Sequence, residues 1–216
     1  MLKKLFHTRI SGPDRYTLLR MVLTPVFVVL FFMRQPWAAG ASFLVFTAAA
    51  LTDWLDGYMA RKMGRVTRWG QFLDPLADKI LIASAFICFC VIGLIPVWMV
   101  ALIIFRDFLI TGLRSYALYK EKPIATSFLA KSKTFIQMVI LYLIFISYLL
   151  FFRNPSQPPH FLAERIQNLH LFTVSMWVIL IFTLFTGVDY FIKNRQHISM
   201  MRAELIRLFH PQNDNV

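Results

Sequence analysis

Cysteine and acidic residues are both scarce in this chain, and extended polar stretches are almost missing from it. The two cysteines, Cys88 and Cys90, stand two positions apart. On a helix that spacing points them to different faces, which excludes a disulfide or a metal-binding pair and leaves them as small packing residues. Only 16% of the 216 residues are charged while 58% are hydrophobic, a balance that excludes a soluble globular domain. No cleavable signal pattern opens the chain, because the first apolar run is too long and others follow it. Internal repeats and low-complexity tracts are also lacking, so residues 1–216 read as one domain.

What is present is a series of six apolar runs, near Tyr16–Met33, Trp37–Ala60, Asp74–Gly93, Pro96–Leu118, Phe128–Phe152 and Leu169–Ile192. Runs of roughly 20 apolar residues are long enough to cross the ~30 Å hydrocarbon layer as helices. The expected fold is therefore an all-α integral membrane protein, a bundle of six transmembrane helices over 16–192. Residues 1–15 form a cytoplasmic interfacial segment, with a short helix over Leu2–Ile10 and a turn at Ser11–Asp14 in which Asp14 caps the first span. Residues 193–216 form a cytoplasmic tail, with Ser199–Phe209 as a candidate amphipathic helix.

The 23 Lys and Arg outnumber the 11 Asp and Glu, and their positions rule against a nucleic-acid partner. Lys3, Lys4, Arg9 and Arg15 precede the first run, and Arg61, Lys62, Arg65 and Arg68 join the second to the third. Lys120 and Lys122 follow the fourth run, and Lys193, Arg195, Arg202 and Arg207 follow the sixth. The opposite connections are poor in bases, so the positive-inside rule places both termini and the basic loops in the cytoplasm, against anionic headgroups or anionic substrates.

Against this scarcity of acids, four aspartates are concentrated in two of the runs. An ionised Asp in a membrane helix costs on the order of 2.5–3.5 kcal/mol near the bilayer centre. Asp53 and Asp56 share one helix face with Gly57, and Ala60 and Arg61 follow one turn on. Asp74 and Asp78 are one turn apart on the next run, with Gly70 ahead of them and an eight-residue connector, Lys62–Trp69, between the pairs. Two carboxylates about 6 Å apart repel by roughly 3 kcal/mol at an effective dielectric near 20. Protons, the neighbouring bases or divalent cations could neutralise them. Hard oxygen donors in this number suit Mg²⁺, Mn²⁺ or Ca²⁺. Glycines make room for a ligand, and Arg61 offers a forked donor for phosphate oxygens.

The run Asp53-x2-Asp56-Gly57-x2-Ala60-Arg61-x8-Gly70-x3-Asp74-x3-Asp78 resembles, position for position, the signature of the CDP-alcohol phosphotransferases. That resemblance implies a homodimeric membrane enzyme of six spans, in a bacterial inner (cytoplasmic) membrane, with its site open to the cytoplasm. It implies two divalent cations, Mg²⁺ or Mn²⁺, on Asp53, Asp56, Asp74 and Asp78, with Asp78 also the general base. It places the CDP moiety against Asp53, Asp56, Gly57, Ala60, Arg61, Gly70 and Asp74. In one respect the chain departs from the family: Pro13-Asp14-Arg15-Tyr16-Thr17-Leu18-Leu19-Arg20 has Asp14 where Asn is usual, which puts an amide contact to the base in doubt.

Arg106 and Arg114, eight residues apart, fall on one side of the fourth span, and Lys131 and Lys133 open the fifth. Together they form a candidate anion pocket, or, for the lysines, headgroup-snorkelling side chains. The segments Arg106–Arg114, Ala130–Thr134 and Gly187–Phe191 resemble the phosphatidylglycerophosphate synthase branch of the same family. The implied substrates are CDP-diacylglycerol and sn-glycerol 3-phosphate, with the acceptor phosphate on Arg106, Arg114, Lys131 and Lys133. Asp189 is either a partner for one of those bases or a local hydrogen-bonding group. The alternatives are the same chemistry on phosphatidylglycerol, serine or an inositol phosphate, or a divalent-cation transporter. Against transport, no polar series continues from the aspartates to the outer face. The orientation is tested by engineered cysteines: an impermeant thiol reagent applied outside the cell should label position 156 but neither 65 nor 202, and the reverse pattern would invert the topology.

Overall fold

The computed structural model describes residues 12–63, 68–119, 128–151 and 171–195. All the elements among them are helices: α1 (Gly12–Phe32), α2 (Ala38–Met63), α3 (Arg68–Val91), α4 (Val97–Tyr119), α5 (Phe128–Phe151) and α6 (Leu171–Lys193). The expected helices over Leu2–Ile10 and Ser199–Phe209 lie outside the described residues, as do the connections 120–127 and 152–170.

Two boundaries correct the sequence reading. Helix α1 begins at Gly12, so the expected turn at Ser11–Asp14 gives way to a first helical turn containing Pro13. Proline is accommodated there because the first N–H groups of a helix have no intrahelical partner to lose. Helices α2 and α3 also run further toward each other than hydropathy suggests, leaving 64–67 rather than an eight-residue connector. Hydropathy falls at Arg61 and Lys62, but Arg and Lys are good helix formers and the backbone ladder continues through them.

Five-residue connections at 33–37 and 92–96 fold α1 on α2 and α3 on α4 as antiparallel hairpins. The second is closed by a Schellman motif: Gly93 N–H donates to the Cys90 carbonyl at 3.0 Å, and Leu94 N–H to that of Phe89 at 3.0 Å. Gly93 adopts φ 78°, the left-handed region that side chains rarely enter, while the space around it is open. Beyond the hairpins, α1 also packs on α3, α4 on α6, and α6 on α5.

One end of the bundle is filled by aromatic rings. Phe31 stacks on Tyr148 with centroids 5.0 Å apart, and Phe89 meets Phe145 edge-to-face at 5.2 Å. Phe27 and Phe46 complete the group, and all four phenylalanines other than Phe31 are fully buried. The outside is apolar as well. Leu18, Val22, Val26 and Val29 on α1, Phe105 on α4, and Phe135, Leu143 and Leu150 on α5 are all exposed. Stretches Ser132–Leu150 of α5 and Phe172–Lys193 of α6 are long and apolar enough to cross a membrane. An apolar surface of this extent suits contact with lipid or with another protein surface rather than with water. Consistent with such surroundings, several hydroxyls bond within their own helix: Thr24 to the Arg20 carbonyl at 2.8 Å, Thr52 to Ala49 at 2.6 Å and Ser84 to Ile80 at 2.7 Å.

Candidate functional site

The antiparallel order brings the start of α3, the second half of α4, the start of α5 and the last turns of α6 to the end opposite the aromatic cluster. There they enclose a cavity of about 210 Å³. Its walls include Asp78 and Lys79 from α3, Arg106, Asp107 and Arg114 from α4, Thr134 from α5, and Thr186 and Tyr190 from α6. The carboxylate expected to act as base thus shares one cavity with the two arginines expected to hold the acceptor phosphate. Lys79, absent from the sequence reading, adds a third cation and lies 3.6 Å from the Asp78 carboxylate. That separation is a Coulombic contact rather than a hydrogen bond.

Lys133 is placed differently. It is 2% exposed and its ammonium group donates to both oxygens of Asp107, at 2.5 and 2.6 Å. It is not among the cavity-lining residues. Asp107 is itself 5% exposed and also accepts from Arg106 Nη1 at 3.2 Å. The second terminal nitrogen of Arg106 donates to the Thr186 hydroxyl at 2.8 Å, which joins α4 to α6. Snorkelling is therefore excluded for Lys133, whose charge is answered inside the bundle. The side chain of Lys131 lies outside the described residues. Asp189 pairs locally with Lys193, at 2.8 Å, one turn on along α6.

Of the four signature aspartates, Asp74 and Asp78 are described with their side chains, one turn apart on α3. The Thr17 hydroxyl donates to the Asp74 carboxylate, tying α1 to the same end of the molecule. For Asp53, Asp56, Gly57, Ala60, Arg61 and Gly70 only the helical backbone is described, and their side chains are outside what the structure describes. Their register on α2 keeps Asp53, Asp56 and Gly57 on one face, and α2 packs against α3. The described half of the donor set offers carboxylate oxygens, the ligand type Mg²⁺ and Mn²⁺ take. Pro75, between Asp74 and Asp78, also lines the cavity, and its missing N–H withdraws the helical donor from the carbonyl at position 71.

Sequence reasoning passed over Lys79 and Thr186, and gave no role to Asp107 or Tyr190 although both lie in segments it singled out. A signal existed only for Asp107, since an acid beside an arginine inside an apolar run must be paired. Hydroxyls such as Thr186 carry no mark in one dimension.

Residues 11–188 match the sequence profile of the CDP-alcohol phosphatidyltransferase family, and the chain belongs to that family. Among its relatives is the CDP-diacylglycerol–glycerol-3-phosphate 3-phosphatidyltransferase of Bacillus subtilis (strain 168), 36% identical over 196 residues, covering 84% of this chain and 94% of the relative. Proteins of the same name from Salmonella typhi and Escherichia coli (strain K12) are 42% and 41% identical over 135 residues, covering 60% of this chain and 73% of each relative.

The buried pair yields a stability prediction. Removing one partner of a buried ion pair costs up to about 3–5 kcal/mol, and without Lys133 the Asp107 carboxylate keeps only the longer contact from Arg106. Asp107→Asn and Lys133→Met should each lower the unfolding temperature in detergent markedly, and the double variant should be less destabilised than the sum of the two. Strict additivity in unfolding measurements would mean that the two side chains do not act as a pair.

Proposed function

We propose that this chain is an enzyme that transfers the phosphatidyl group of CDP-diacylglycerol to sn-glycerol 3-phosphate, releasing CMP and forming phosphatidylglycerophosphate. One observation carries the reading: a single cavity holds Asp78 together with Arg106, Arg114 and Lys79, in a chain of the CDP-alcohol phosphatidyltransferase family. A pocket with three cations suits an acceptor bearing a phosphate, which the names of the relatives also specify. Serine brings no phosphate to such a pocket.

In this reading all six helices span the membrane, both termini and the cavity face the cytoplasm, and the protein is a homodimer. Asp53, Asp56, Asp74 and Asp78 would hold two divalent cations, Mg²⁺ or Mn²⁺, whose charge would offset that on the diphosphate and the departing CMP. Gly57, Ala60, Arg61 and Gly70 line the CDP moiety. Arg106 and Arg114 engage the acceptor phosphate through charge-assisted hydrogen bonds and set the primary of its two free hydroxyls toward Asp78. Asp78 takes the hydroxyl proton as that oxygen attacks the phosphorus bearing diacylglycerol, and the bond to CMP breaks. Lys131 stands at the start of α5 as a further base for the acceptor, while Lys133 contributes through Asp107.

The test is CMP release by purified protein with CDP-diacylglycerol and a panel of acceptors. Glycerol 3-phosphate should outperform glycerol, serine and phosphatidylglycerol, and better turnover with either of the last two would put the chain in another branch of the family. A charge-assisted hydrogen bond contributes about 1.5–3 kcal/mol, so Arg106→Ala should raise the acceptor KM by roughly 10- to 150-fold. Asp78→Asn should nearly abolish turnover in folded protein while leaving CDP-diacylglycerol binding partly intact, because an amide cannot accept the proton. Substantial turnover in that variant would remove Asp78 as the base.

A further inference from the structure

Arg106 is held in place before any ligand arrives. Its guanidinium has five N–H groups, of which one goes to Asp107 at 3.2 Å and one to Thr186 at 2.8 Å. Its Nε is buried and has no hydrogen-bond partner among the described residues. The side chain lies across the α6 backbone at Gly187, where an added Cβ would stand 3.5 Å from Nε. Asp107 cannot serve Arg106 alone, because both its oxygens are engaged by Lys133 at shorter range. The Thr186 contact is the shorter of the two that Arg106 makes within this network.

The Thr186 hydroxyl suits the task. It has one proton, which it directs at the backbone carbonyls one turn back, Phe182 at 2.8 Å and Thr183 at 3.1 Å. With the proton committed to its own helix, an oxygen lone pair faces the arginine. Thr186 is 3% exposed, which limits the access of water to that lone pair. An arginine side chain is among the costliest to immobilise, and fixing it in advance removes that cost from ligand binding.

We propose that Thr186 is a positioning residue for the acceptor, acting through Arg106 to set the guanidinium that receives the acceptor phosphate. This deepens the acceptor reading above and rests on it. Thr186 itself contacts the arginine rather than the reacting atoms, so its loss weakens the acceptor and leaves the CDP-linked substrate unaffected.

The experiment measures both KM values for the full-length protein in mixed micelles, with glycerol 3-phosphate as acceptor. Thr186→Val keeps the shape and removes the lone pair, and should raise the acceptor KM about tenfold, the loss expected for one hydrogen bond to a charged group. The KM for CDP-diacylglycerol should not change, and Thr186→Ser should recover most of the acceptor binding. In an Arg106→Ala background, Thr186→Val should add nothing, since the group it positions is gone. Thr186→Ala, with unfolding temperatures for each variant, covers the case in which valine disturbs the α4–α6 contact. An unchanged acceptor KM, an equal rise in both KM values, or full additivity with Arg106→Ala would each overturn the proposal. If Arg106→Ala itself leaves the acceptor KM unaltered, the acceptor reading of the cavity fails first.

Discussion

A lysine enclosed by apolar helices must have its charge answered within the protein, and the polar half of this molecule is arranged around that requirement. Lys133 on α5 is answered by Asp107 on α4, and Asp107 is shared with Arg106, which reaches on to Thr186 of α6. Three helices are thereby tied at one point. Buried ion pairs add little net stability over a well-packed apolar alternative, because desolvation offsets most of the attraction. What they impose is register. Sliding α5 by one residue would move Lys133 by about 1.5 Å and turn it by about 100°, out of reach of its partner.

The opposite end is held by different physics. Lipid is as apolar as the side chains it touches, so burial there gains little from the hydrophobic effect, and close packing has to supply the cohesion. Interlocked rings do this well: many weak dispersion contacts add up over large, rigid surfaces. Phe27, Phe31, Phe46, Phe89, Phe145 and Tyr148 draw α1, α2, α3 and α5 together away from the cavity. The charged end is thus free of any duty to hold the bundle by bulk, and can keep an open cavity.

Much of this was legible in one dimension. The six helices follow from apolar run length, and the shared cavity of Arg106 and Arg114 follows the eight-residue spacing that puts them on one side of α4. The aspartate pairs are visible because acids are expensive in such runs. What escaped was whatever depends on the distance between helices. Lys131 and Lys133 look equivalent in the sequence, yet only the three-dimensional packing shows Lys133 turned inward onto Asp107. Thr186 looks like any other hydroxyl in a span. The start of α1 escaped for a local reason, since Pro13 reads as a turn until its place in a first helical turn is known.

The hairpin closed by Gly93 works as a ruler. Going back from Gly93 to Lys79 covers 14 residues, and going forward to Arg106 covers 13. Two arms of nearly equal residue count therefore carry the α3 and α4 walls of the cavity away from the turn, with roughly 18 Å of α3 helix before Val91 and roughly 14 Å of α4 helix after Val97 at 1.5 Å per residue. Neither arm can gain or lose a residue alone without rotating its charged groups away from the other wall. A cavity at one end of the molecule thus depends on a backbone angle at the other.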